Sequence, residues 1–230
     1  MPLPITHIIF LQKFWQQTSR APELFSASVL GTLLPDINYL NEVSRDKTHF
    51  LWVRERKVED LFNSLFVELS RFFKGEVIIS DWRRAFIDGY CFHLILDKWW
   101  AQQVKPIRHS QQYLKYGYSL KLLSEDLLKK NSAKLYLDFN LDLSFFPSFF
   151  GLKVETVEGW YIQLNKYLQL VSISERLNFL ADARAISFGQ IIEVENEINI
   201  IEKGLMNLRH LENLLLDFYW LRVKNDHFSL

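Results

Sequence analysis

Chain breakers are scarce in this sequence, with 8 glycines and 6 prolines among 230 residues, about half of average usage. Turns draw on these residues, so a chain this poor in them folds into few, long elements. The apolar spacing says which kind. Residues 57–74 place Val58, Leu61, Phe62, Leu65, Phe66, Leu69 and Phe73 at helical intervals. Residues 188–222 do the same through Ile191, Val194, Ile198, Ile201, Leu205, Leu208, Leu211 and Leu215, the 3–4 rhythm of one buried stripe. Convincing strand alternation is absent. The spacing predicts an all-α protein of six to eight helices, forming one domain over residues 1–230.

The further helices fall at 6–18, 22–33, 82–101, 110–130 and 153–182. Pro35 should stop the second near Leu34, because the residue before a proline is pushed away from the α region. The polar stretch 37–56 reads as a long loop. Ser80 or Asp81 is the expected N-cap of the helix at 82–101. The helices at 153–182 and 188–222 form a C-terminal hairpin, whose faces could also pair with a second copy of the chain or with a partner. Between the two halves lies SFFPSFFG, whose Phe145, Phe146, Phe149 and Phe150 could form an exposed lip for lipid. We expect them instead to fill core, since large exposed apolar patches are uncommon in monomers.

Charge narrows the function. Lys plus Arg equals Asp plus Glu at 27 each, and hydrophobic residues are 49%. That balance excludes a disordered chain. It also provides no net positive field for nucleic-acid binding, so none is expected. The N-terminus lacks a basic leader, and Gln12 and Lys13 interrupt its apolar run. No stretch nears the roughly 18 apolar residues of a membrane span. Cys91 is the one cysteine, so no disulfide forms within the chain. A cytoplasmic protein is expected, with Cys91 a buried thiol.

The residues that carry chemistry lie in the first 97. His93 and Asp97, in GYCFHLILD, are one helical turn apart and project from one face. Such a pair can ligate one ion or simply hydrogen-bond to each other. Gly89 lies one turn earlier, where mid-helix glycine costs roughly 1 kcal/mol relative to alanine. Close approach of another backbone or of a ligand would account for it. His7, Asp36 in LGTLLPD and His49 in THF precede this helix. His109, His210 and His227 read as surface or structural residues, and Trp99 and Trp100 as core.

The ordered set His7, Pro35-Asp36, Thr48-His49 and Gly-Tyr-x-x-His-x-x-x-Asp resembles the zinc-dependent phospholipase C family and its relatives, the S1/P1-type nucleases. The resemblance covers roughly residues 5–100. It implies an all-α fold with a metal cluster between helices, here within residues 1–130. Asp36, His49, His93 and Asp97 would surround one metal, and Asp97 would bridge to a second ion with His7. The donors suit Zn²⁺, with Mn²⁺ or Fe²⁺ as alternatives. The family's further histidines and glutamate have no counterpart beyond His109, so one or two ions are expected, not three. The implied activity is metal-dependent hydrolysis of a phosphoester, lipid being one choice, with Asp36 orienting or deprotonating the attacking water. The alternative is an inactive helical scaffold or partner-binding protein in which the metal set is structural or vestigial.

Overall fold

A computed structural model describes residues 4–16, 20–40, 43–50, 53, 61–71, 80–108, 122, 125–126, 151–182, 191 and 193–196. Seven α-helices are described: α1 (Pro4–Gln16), α2 (Phe25–Leu33), α3 (Arg45–Thr48), α4 (Leu61–Ser70), α5 (Asp81–Arg108), α6 (Val154–Gln169) and α7 (Ile173–Asp182). Two 3₁₀ helices, Pro22–Leu24 and Leu34–Leu40, flank α2. No strand occurs among the described residues, so the all-α expectation holds there. No described helix is long and apolar enough to cross a membrane. SFFPSFFG, His109, His210, His227, the helix expected at 110–130 apart from Leu122, Glu125 and Asp126, and most of the 188–222 stripe lie outside the described residues.

The chain divides into two compact units. The first holds residues 20–100 and 134–169, and the second holds 2–19, 101–133 and 170–230. In the first, α2 is apolar and is buried from Ala27 to Leu33. It meets α5 through two glycines. A Cβ built on Gly31 would lie 1.9 Å from the Phe86 carbonyl oxygen, and one on Gly89 would lie 1.9 Å from the Ser28 carbonyl oxygen. The helices therefore touch backbone to backbone, which only glycine allows at these positions. Thr32 Oγ1 donates to the Gly89 carbonyl at 2.8 Å across the same contact. Of the two explanations for Gly89, another backbone is the one observed.

α6 closes over the end of α2. Trp160 Nε1 donates to the Leu33 carbonyl at 3.0 Å and the Tyr161 hydroxyl to the Leu30 carbonyl at 2.9 Å. Helix C-termini leave carbonyls in need of donors. Trp160 supplies one at Leu33, and Tyr161 adds a second donor to the Leu30 carbonyl, which already accepts the Leu34 N–H, while both bury their rings. α4 buries Leu61, Leu65 and Leu69 on one stripe, as the 3–4 spacing requires.

Two expectations about boundaries are corrected. The α-helix does end at Leu33, as expected, but Leu34 keeps right-handed helical angles (φ −65°, ψ −36°), and Leu34 to Leu40 tighten into the 3₁₀ helix. Proline has no N–H to give the Gly31 carbonyl, so the α ladder fails while the fixed φ still suits a helix. The 37–56 stretch is correspondingly no continuous loop, since it holds most of that 3₁₀ helix and α3. The helix expected at 153–182 is two helices, because Ser172 starts a new one. Glu175 accepts the Val171 and Ser172 N–H groups, each at 2.9 Å, and Ser172 Oγ accepts the Glu175 N–H at 3.1 Å. This is a capping box, and its hydrogen bonds hold the Glu175 carboxyl below its ordinary range. Ser80 is the N-cap of α5, taking the Arg83 N–H at 3.4 Å.

In the second unit, residues 5–11 of α1 are all buried. The buried Glu125 carboxylate accepts the Ile5 N–H at 2.8 Å, an acid at a helix N-terminus, where the dipole favours it. Fully buried Arg176 pairs with Asp126 at 3.1 Å.

Asp88 on α5 gives the first unit a pH-dependent element. It pairs with Arg20 at 2.6 Å. Burial nevertheless pushes its carboxyl up to about 6, against the pull of Arg20 and Arg84. A raised folded pKa means the native state holds the proton longer than the unfolded chain. The contribution of Asp88 therefore falls between about pH 4 and 6, by up to about 3 kcal/mol. Denaturant titrations at pH 4 and pH 7 should show Asp88→Asn gaining stability relative to wild type as pH rises. A difference that stays constant over that range would remove Asp88 as the cause.

Candidate metal centre

Four side chains converge in the first unit from three segments. α5 presents His93 and Asp97 from one face, the 3₁₀ helix presents Asp36, and His49 follows α3 directly. All four are buried, His93 completely. His93 Nε2 lies 3.4 Å from His49 Nε2, and each Nε2 lies 3.8 Å from Asp36 Oδ1. Asp97 Oδ2 stands 3.5 Å from His49 Nε2 and 3.8 Å from His93 Nε2.

The outer nitrogens fix the protons. His93 Nδ1 faces the Thr32 carbonyl oxygen at 2.7 Å. A carbonyl only accepts, so Nδ1 carries the hydrogen and Nε2 keeps its lone pair. The Thr48 hydroxyl donates to the Arg45 carbonyl at 3.2 Å and accepts from His49 Nδ1 at 2.9 Å. Two imidazole lone pairs and two carboxylate oxygens thus point at one another.

The distances can be set against both sequence readings of His93 and Asp97. At 3.5–3.8 Å the His–Asp pairs are too far apart for hydrogen bonds, which need about 2.7–3.2 Å. Metal bonds of about 2.0–2.2 Å, by contrast, put tetrahedral ligand atoms roughly 3.3–3.6 Å apart. Two of the distances, 3.4 and 3.5 Å, fall in that range and the others, at 3.8 Å, lie just beyond it. His49, His93 and Asp97 form a group able to hold an ion, and Asp36 stands beside it, 3.8 Å from each Nε2. The Nδ1 contacts to Thr32 and Thr48 are the outer hydrogen bonds that orient ligating histidines.

Three further residues shape the centre. The Tyr90 hydroxyl donates to the Thr48 carbonyl, tying α5 to the turn that carries His49. Burial, then Cys91 and Asp36, keeps the Tyr90 phenol protonated by pushing its pKa well up. Phe50, next after His49, adopts φ +47°, uncommon outside glycine, and its ring lies 6.2 Å from that of Tyr90. Arg45 Nη2 contacts Asp97 Oδ2 at 3.0 Å.

Sequence reasoning gave no role to Arg45, Thr32 or Tyr90. Arg45 was legible in one respect, as a residue one turn before His49. The contacts of Thr32 and Tyr90 depend on how α2 crosses α5. His7 lies on α1 in the second unit, fully buried. Cys91 is buried with its thiol pKa raised, chiefly by desolvation, as expected of a structural thiol.

The described residues so far define a helical protein with a buried His/Asp cluster able to hold a metal ion. No family model, curated protein or solved structure matches the chain.

Proposed function

We propose that Asp36, His49, His93 and Asp97 hold a divalent transition metal, Zn²⁺ first, and that the protein hydrolyses phosphoesters in the manner of the phospholipase C-like enzymes its sequence resembles. The carrying observation is the four-donor cluster, with both Nε2 lone pairs turned inward at ligand spacing. A divalent cation there would supply Lewis acidity and lower the pKa of water from 15.7 toward roughly 7. The Nδ1 contacts to Thr32 and Thr48 would hold the two imidazoles with Nε2 toward the ion. Asp36 would take the water's proton as the oxygen adds to phosphorus. That proton then leaves with the departing alkoxide as its P–O bond breaks. Zn²⁺, Mn²⁺ or Fe²⁺ restored to chelator-stripped protein should hydrolyse members of a phosphomonoester and phosphodiester panel, lipid esters included. His93→Ala should lose about 10³-fold or more of that activity. Activity retained in His93→Ala would sink the mechanism.

One observation favours a second reading. Four protein donors that are all buried resemble a closed structural site more than an open catalytic one. On that reading a single ion ties α5 to the segments carrying Asp36 and His49, and the protein acts as a helical scaffold. Metal-dependent stability without turnover on any ester of the panel would decide for it.

A further inference from the structure

We propose that Arg45 is the anion-recognising residue of this centre, its guanidinium taking one oxygen of a phosphate group whose other oxygens face the metal. The inference rests on the metal reading above and adds the residue that selects the substrate's charge.

Three observations converge on Arg45. First, its Nη2 lies 3.0 Å from Asp97 Oδ2, the same oxygen that faces both Nε2 atoms. The guanidinium thus sits directly against a carboxylate that would hold the ion. Second, its side chain is 32% exposed, against 9% or less for the four donors. Among these five residues Arg45 is the one that reaches solvent. Third, Nη1 is shielded from water yet makes no hydrogen bond. An unsatisfied buried donor is costly, and an anionic oxygen placed there would remove the cost.

Holding Asp97 alone would not require this arrangement. One N–H suffices for that contact, and a lysine could supply it. A planar fork with a spare donor suits a phosphate, which offers several oxygens at fixed geometry. Arg45 is also fixed to the centre through its backbone, since its carbonyl accepts the His49 N–H at 2.8 Å and the Thr48 hydroxyl at 3.2 Å. The guanidinium and the His49 ligand therefore move as one piece.

The test uses the full chain stripped with chelator, reloaded with Co²⁺ and titrated with inorganic phosphate, read by the visible cobalt spectrum. Wild type should bind phosphate. Arg45→Gln should weaken it about tenfold or more at unchanged cobalt stoichiometry. Arg45→Lys, which keeps the charge beside Asp97 but loses the fork, should weaken it severalfold. Lys47→Gln, an exposed cation on the same turn, should change it less than twofold. Equal phosphate affinity in wild type and Arg45→Lys overturns the proposal, even if Arg45→Gln fails to fold. Equal effects of Lys47→Gln and Arg45→Gln overturn it too, since general charge would then explain both. A wild type that binds cobalt but no phosphate overturns the Arg45 role and leaves the metal centre standing. A wild type that binds no cobalt overturns both.

Discussion

Stripping metal from this protein should lower its melting temperature, and adding back Zn²⁺ should restore it. Four buried acceptors crowd together in the first unit, and an ion would relieve that crowding while crosslinking three segments. Binding at a thousandfold excess over Kd stabilises a fold by about 4 kcal/mol. For a chain of this size that is on the order of 10 °C. His93→Ala removes the donor that touches both Asp36 and the other imidazole, so its melting temperature should not respond to zinc. Asp97→Ala should behave alike. The measurement is a thermal melt with and without chelator, beside metal content by mass spectrometry. Identical melts and no bound metal in wild type would mean that the cluster is only packing.

The second large effect lies at the α2–α5 contact. Gly89→Ala would drive a Cβ to 1.9 Å from the Ser28 carbonyl oxygen, and Gly31→Ala would do the same against Phe86. The obstacle in each case is backbone, which cannot rotate away as a side chain can. The helices must separate, breaking the Thr32–Gly89 hydrogen bond and shifting His93 from the Thr32 carbonyl. Overpacking usually costs 1–3 kcal/mol, and backbone collisions belong to its upper tail, about 3–5 kcal/mol here. Gly159→Ala is the control. It lies within α6 with nothing near its added Cβ, and should stabilise by about 0.5–1 kcal/mol. Urea denaturation of the three variants checks this. A Gly89→Ala as stable as wild type would contradict the helix crossing. If metal affinity also falls in Gly89→Ala, the glycine contact is what sets the position of His93.

Some of the centre was readable in the chain. His93 and Asp97 share a face because a helix repeats every 3.6 residues, and nothing beyond local periodicity is needed to see it. Asp36 and His49 were legible only as donors in a particular order, a pattern that named them without placing them. The capping box at Ser172 and Glu175 was also present in the sequence. It was outweighed by an apolar rhythm that continues across it, since periodicity does not register a break that hydrogen bonds impose.

What the sequence by itself determined is therefore local: helical content, from sparse glycine and proline and 3–4 apolar spacing, and the His93–Asp97 pair. Whether that pair stands alone or within a cluster able to hold an ion is visible only in the tertiary structure. The answer depends on ångström distances to Asp36 and His49, 57 and 44 residues away along the chain from His93. Those distances follow from two glycines letting α2 touch α5, from Thr32 reaching across that contact, and from Tyr90 tying α5 to the Thr48 carbonyl beside His49. Non-local packing of this kind has no period, so no pattern in the chain announces it. The same holds for Arg45, whose sequence context is an ordinary polar stretch and whose role arises from the 3.0 Å that separate it from Asp97.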